Sequence, residues 1–230
     1  MIIKRCFLKI FLSFLDIIPP KTLLRTLFRI DQWMYYIQGH AAVRYGKGIH
    51  PKHRLIRYHD FFVHRINSGE NVLDIGCGNG AVAFDIAQRT GAMILGIDIK
   101  PGNIAIAEQK YHHPNIRYWC GDITKEVPDG NFEVILLSNV LEHLEGRPGL
   151  LRKLQSEIRP DRFLIRVPLF ERDWRVPLKK ELGLEWRLDP THQTEYTLES
   201  FAEEINQAGL LTDYQEIRWG EIWAEVRSKS

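Results

Sequence analysis

The sequence predicts a doubly wound α/β domain: a seven-stranded, mostly parallel sheet with a C-terminal antiparallel hairpin and an N-terminal helical extension. Three observations predict it. From residue 70 onward, short apolar runs alternate with helical stretches, the pattern of parallel strands joined by crossover helices. The first run, Asn71 to Ile75, opens directly into Gly76-Cys77-Gly78-Asn79-Gly80, where glycines let the backbone turn sharply and let a ligand approach it. The last two runs, residues 210–219 and 221–227, are separated by Gly220 alone and so form neighbouring antiparallel strands.

The elements follow in order. Residues 2–18 have a basic start and an apolar run interrupted by Lys9, Ser13 and Asp16, with no small-residue cleavage site after it. The run is too short and too broken to span a bilayer. As a helix it carries Arg5, Lys9, Ser13 and Asp16 on one narrow stripe, and its wide apolar face suits docking within the protein, a dimer contact or peripheral membrane contact. After Pro19-Pro20 an amphipathic helix is expected over 21–38, then a loop marked by Gly39, Gly46, Gly48 and Pro51, then a helix over 52–66. Residues 1–66 are read as the extension and 67–230 as the main domain. Strands are expected at 71–75, 93–98, 116–122, 132–138 and 162–168, with helices near 80–90, 102–111, 147–158 and 197–208.

The 230 residues are 44% hydrophobic and 26% charged, an ordinary globular mixture. A net charge of +2 gives no reason to expect nucleic acid, although the first 70 residues are basic and the middle of the chain more acidic. Cys6, Cys77 and Cys120 are scattered without a paired spacing, which suits a reduced, cytoplasmic setting.

Carboxylates stand near the ends of three successive strands: Asp74, Asp98 and Asp122. A nicotinamide dinucleotide site is the competing reading of the glycine turn, but its third glycine comes one place early. Asp74 beside the turn would also repel a pyrophosphate, whereas it suits a cationic ligand. Asp98, about 20 residues beyond the glycines, is placed to take ribose hydroxyls. Either Asp98 or Asp122 alone could be a helix cap, but capping does not require three acids converging on one crevice.

Together DIGCGNG, GIDI, GDI, SNVLEHL and the hairpin make residues 70 to about 227 resemble the class I methyltransferases that depend on S-adenosylmethionine (SAM), in the branch of the ubiquinone-biosynthesis O-methyltransferases. The resemblance implies a Rossmann-like fold and SAM as cofactor. It implies that Asp74, Gly76, Cys77 and Gly78 hold the methionine part, Asp98 the ribose and Asp122 the adenine. Ile99 and Ile123 would flank the adenine, and Ser138 and Asn139 would line the methionine side. His143 is the candidate base for a hydroxyl acceptor; a packed or capping histidine is the plain alternative. Some relatives bind a divalent ion through an E-x-x-E-H motif and a later histidine. Here Glu142, His143 and His192 match, and Asn139 replaces the first glutamate, so a cation such as Mg²⁺ would have a weaker oxygen ligand there.

The long connection from Pro168 to Tyr196 mixes Phe170, Trp174 and Trp186 with Arg172, Arg175, Lys179, Lys180 and Arg187. It reads as a binding loop for a small-molecule, glycan or lipid-linked acceptor, or as a solvated basic surface. A nucleic-acid acceptor is disfavoured: no N-P-P-Y-like tetrapeptide follows the fourth strand. N- or C-methylation of a metabolite and a non-catalytic SAM-fold scaffold are the alternative functions. A homo-oligomer is compatible with the N-terminal apolar face.

Overall fold

Every backbone hydrogen-bonding group needs a partner, and from Asn71 onward the chain meets this by building a sheet. The computed structural model describes residues 15–47 and 50–229; the expectation for residues 2–18 therefore lies almost wholly outside the described residues. The chain divides into two units, one formed by residues 1–56 and 174–186, the other by 57–173 and 187–230.

In the smaller unit, helix α1 runs Pro20–Tyr45. The expected stop at Gly39 does not occur. A single glycine costs a helix about 1 kcal/mol, and His40 to Tyr45 contain no further breaker. The helix ends at Gly46, whose N–H donates to the Ala42 carbonyl at 2.9 Å. A short helix, α2 (Lys52–Ile56), follows.

The helix expected over 52–66 is split. Arg57 takes a left-handed backbone, φ 52°, and a new helix, α3 (Tyr58–Val63), begins in the larger unit. There Phe61 packs edge-on to Trp223 at 5.5 Å, so a segment read as extension belongs to the sheet's own packing.

The larger unit continues β1 (Asn71–Ile75), α4 (Ala81–Thr90), β2 (Met93–Asp98), α5 (Pro101–Lys110), β3 (Ile116–Cys120), β4 (Val134–Ser138), α6 (Arg147–Glu157) and β5 (Arg162–Pro168). Then come α7 (Arg175–Glu181), which belongs to the smaller unit, and α8 (Leu198–Gln207), β6 (Leu210–Arg218) and β7 (Glu221–Ser228). The connection 168–196 thus contains a helix that its mixed composition concealed.

The seven strands lie in the order β3-β2-β1-β4-β5-β7-β6, with only β7 antiparallel to both neighbours. The chain steps from β1 outward to β2 and β3, then returns past β1 to β4, so the strand order reverses between β1 and β4 and opens a crevice at their carboxyl ends. One sheet face buries Leu73, Ile75, Ile97, Ile135, Leu137, Phe163 and Ile165 against α6 and α8 residues such as Leu151, Leu154 and Phe201. The period-2 alternation puts Asp74 on the other face.

Candidate active site

Each glycine of the turn after β1 has its own reason. All three have positive φ: 69° at Gly76, 57° at Gly78 and 83° at Gly80. A Cβ on Gly76 would stand 2.5 Å from Val140 Cγ2, and one on Gly80 would collide with the Tyr118 hydroxyl and lie 2.9 Å from Ala107. A Cβ on Gly78 would meet open space, so only its backbone conformation demands glycine.

Asp98 fastens this turn. Its Oδ2 accepts the Gly78 N–H at 2.9 Å, and its Oδ1 accepts the Lys100 N–H at 2.8 Å and Asn103 Nδ2 at 3.1 Å. Asp122 is engaged as well. Its Oδ1 accepts from the Thr124 N–H at 3.1 Å and the Thr124 hydroxyl at 2.6 Å, and its Oδ2 pairs with Lys125 at 3.0 Å. The Thr124 and Lys125 hydrogen bonds hold its carboxyl below the usual range.

A crevice at the sheet's carboxyl end is lined by Gly76, Asp98, Ile99, Asp122 and Ile123, five of the residues singled out from sequence. Its walls are completed by Ile75, Ile97, Gly121, Thr124, Val140 and Leu144. Val140 and Leu144 were missed. They flank a 3₁₀ turn, Leu141–His143, whose three residues give no helical period to read.

Asp74, Cys77, Gly78, Ser138 and Asn139 are not among the lining residues. Cys77 is buried beneath the turn, its Sγ facing Gly96, and burial pushes its thiol up. Asp74 is also buried, with an Oδ2 that has no partner; burial and then the Asp98 charge push its pKa up to about 8. The charge expected of Asp74 near neutral pH is therefore suppressed in the absence of a cationic ligand. Asn139 takes φ 56° and donates its Nδ2 to Glu142 Oε1 at 2.9 Å, while its N–H donates to the Arg166 carbonyl at 2.7 Å.

Beside the crevice the structure brings together Glu142, His143 and His192, each offering a ligand atom within 4.8 Å of the others. The backbone makes the juxtaposition: the Gln193 N–H donates to the Glu142 carbonyl at 2.7 Å. Glu142 is fully buried, Oε2 has no partner, and burial pushes its pKa up to about 7. The two imidazoles meet edge to face at 4.7 Å. Burial, followed by the His192 charge, lowers the His143 pKa and favours the neutral ring.

Both rings are oriented through Nδ1. Thr191 Oγ1 donates to Asp189 Oδ1 at 2.8 Å, which leaves the hydroxyl oxygen to accept from His143 Nδ1–H at 2.9 Å. His192 Nδ1 lies 3.0 Å from Glu195 Oε1. Glu195 is desolvated, yet its hydrogen bonds, from His192 first and also from the Leu188 amide and Arg172, keep it a carboxylate. His143 thus carries its proton on Nδ1 and leaves its Nε2 lone pair unused.

The cations of the 168–196 connection have structural partners. Arg172 pairs with Glu195, Arg187 donates to the His192 carbonyl at 3.0 Å, and Lys180 lies 5.0 Å over the Trp186 ring. Arg175 and Lys179 stand 3.6 and 3.7 Å from Asp31 within the smaller unit.

The sheet order, the glycine turn and the crevice beyond it define the class I SAM-dependent methyltransferase fold. Residues 48–214 match the model of the methyltransferase domain family, and the chain belongs to that family. A ubiquinone biosynthesis O-methyltransferase from Bradyrhizobium sp. (strain ORS 278) is 28% identical over 170 residues, 66% of each chain. The chain spans between about half and two thirds of the length of the ubiquinone O-methyltransferases it matches. Solved structures that share the fold include two methyltransferases. A small RNA methyltransferase has a TM-score of 0.63 at 19% identity, covering 76% of this chain and 25% of that one. A TehB-like SAM-dependent methyltransferase from Corynebacterium glutamicum has a TM-score of 0.59 at 18% identity, covering 85% and 97%.

Proposed function

We propose that the protein transfers the SAM methyl group to a hydroxyl oxygen of a small-molecule, glycan or lipid-linked acceptor. The observation that carries this reading is the Glu142–His143–His192 cluster, whose 3₁₀ turn is bracketed by two crevice residues, Val140 and Leu144. The ubiquinone O-methyltransferases among the relatives support oxygen as the acceptor atom. The larger unit carries eighteen Lys and Arg against twenty-five Asp and Glu, which opposes a polyanionic acceptor.

SAM supplies an activated methyl on a sulfonium, so the protein's work is to orient it, exclude water and dispose of one proton. In this reading Asp98 and Asp122 hold the ribose and adenine between Ile99 and Ile123. The methionine part would lie along the glycine turn over Asp74. Asp74 ionises when the ligand's ammonium arrives. His143, neutral and with a free Nε2, takes the hydroxyl proton; Thr191 and Asp189 keep the ring in that tautomer.

A second reading is favoured by the partnerless Glu142 Oε2. Glu142, His143 and His192 would hold a divalent cation, which would acidify a hydroxyl bound to it. Two imidazole nitrogens and one carboxylate suit manganese, iron, cobalt or zinc better than Mg²⁺, which prefers oxygen ligands.

The deciding experiment uses radiolabelled SAM and a panel of catechols, hydroxylated glycans and prenylated phenols. Label in any acceptor, lost in His143→Ala, supports the reading. Binding of S-adenosylhomocysteine without transfer to any member would favour the scaffold alternative.

A further inference from the structure

Charge is segregated between the two units. Residues 1–56 and 174–186 hold thirteen Lys and Arg against four Asp and Glu, although the whole chain is only +2. Helix α1 lies in this basic unit, and Phe28 is its one buried residue. At spacings of three and four, Leu27, Ile30, Met34 and Ile37 form an apolar stripe that is 41–50% exposed. Beside it stand Trp33 and Tyr36, 65% and 61% exposed, among Arg29, His40 and Arg44. The helix has a single acid, Asp31, and Arg175 and Lys179 flank it. No helix among the described residues is long and apolar enough to cross a membrane.

An apolar stripe bordered by tryptophan, tyrosine and arginine is the arrangement that lies in a bilayer interface: the stripe enters the acyl boundary, the aromatics sit at headgroup level and the cations meet phosphate. We propose that α1 is an interfacial helix that seats the protein on an anionic phospholipid surface. The charge excess selects this occupant over a second copy of the chain, because two such units would repel each other while each is drawn to anionic lipid. The inference stands apart from methyl transfer and needs no particular acceptor.

The test is flotation of the full chain with vesicles of phosphatidylcholine alone and of phosphatidylcholine with phosphatidylglycerol. The variants are I30E/I37E and R29E/R44E; these side chains are exposed, and unchanged S-adenosylhomocysteine binding and helicity verify folding. We expect flotation with the anionic vesicles only, reduced about tenfold or more by either variant. No flotation with anionic vesicles overturns the proposal, as does flotation that neither variant weakens. A vesicle-independent dimer that I30E/I37E dissociates, without flotation, assigns the stripe to self-association and overturns it too.

Discussion

The Gly78 amide donates to the Asp98 carboxylate across 2.9 Å, so the turn after β1 is fastened to the end of β2, twenty residues on. The same carboxylate holds the first turn of α5 through Lys100 and Asn103. Asp98→Ala removes all three bonds and leaves the half-buried Gly78 amide unpaired. We expect a loss of about 2–4 kcal/mol of stability and at least a tenfold weaker binding of S-adenosylhomocysteine, read by thermal unfolding and isothermal titration. Unchanged affinity would remove Asp98 from the cofactor site.

Gly76 and Gly78 should respond differently to alanine. Both substitutions strain a positive φ, at about 1–2 kcal/mol, but only Gly76→Ala drives a methyl into Val140, at 2.5 Å. Val140 is a crevice wall, so Gly76→Ala should lower stability by about 2 kcal/mol more than Gly78→Ala. Urea unfolding of the two variants measures the difference.

Asp74 predicts a pH dependence. Its folded pKa of about 8 lies above its ordinary value of 3.8. Between these values the folded chain holds a proton that the unfolded chain has released, so this group lowers stability as pH rises from about 4 to 8 and adds no further change above. Asp74→Asn, similar in shape and never charged, should gain stability relative to the parent across that window. The gain should be smallest at pH 4 and level off near pH 8, while SAM binds the variant less well than the parent. Paired melts from pH 4 to 9 test the sign.

The strands at 71–75, 93–98 and 162–168 were legible because buried parallel strands are short, apolar and β-branched, and because Gly76, Pro101 and Pro168 mark their ends or the turns close behind them. Acids at strand ends were legible for the same positional reason. Burial was not. That Asp74 is neutral depends on its being enclosed at the sheet face, which no local spacing reports. The passage of α1 through Gly39 was hidden because a lone glycine weakens a helix without ending it. Helix α7 was hidden in a segment whose aromatics and cations follow no clean period. His192 was found through a family pattern. What sets it beside Glu142, fifty residues earlier, is the neighbouring Gln193 backbone amide donating to the Glu142 carbonyl, and a backbone amide leaves no trace in sequence.

Metal binding separates the two roles open to His143. Its Nε2 cannot both accept the acceptor's proton and ligate a cation. If it ligates, Glu142 and His192 share the load, and all three become necessary together. If it is a base, His192 only packs beside it, at 4.7 Å. We expect Mn²⁺ to bind the purified protein at one site, more tightly than Mg²⁺. Glu142→Gln and His192→Ala should each weaken that binding about tenfold or more, and Glu195→Gln, at a residue that orients His192 without offering a ligand atom to the cluster, by a smaller factor. Titration calorimetry and metal content after dialysis read this without any acceptor. If Mn²⁺ does not bind, or binds equally to Glu142→Gln and His192→Ala, the cation reading fails. His143 then stands as the base, and His143→Ala should lower kcat about 10²–10⁴-fold while His192→Ala leaves it within a factor of about ten.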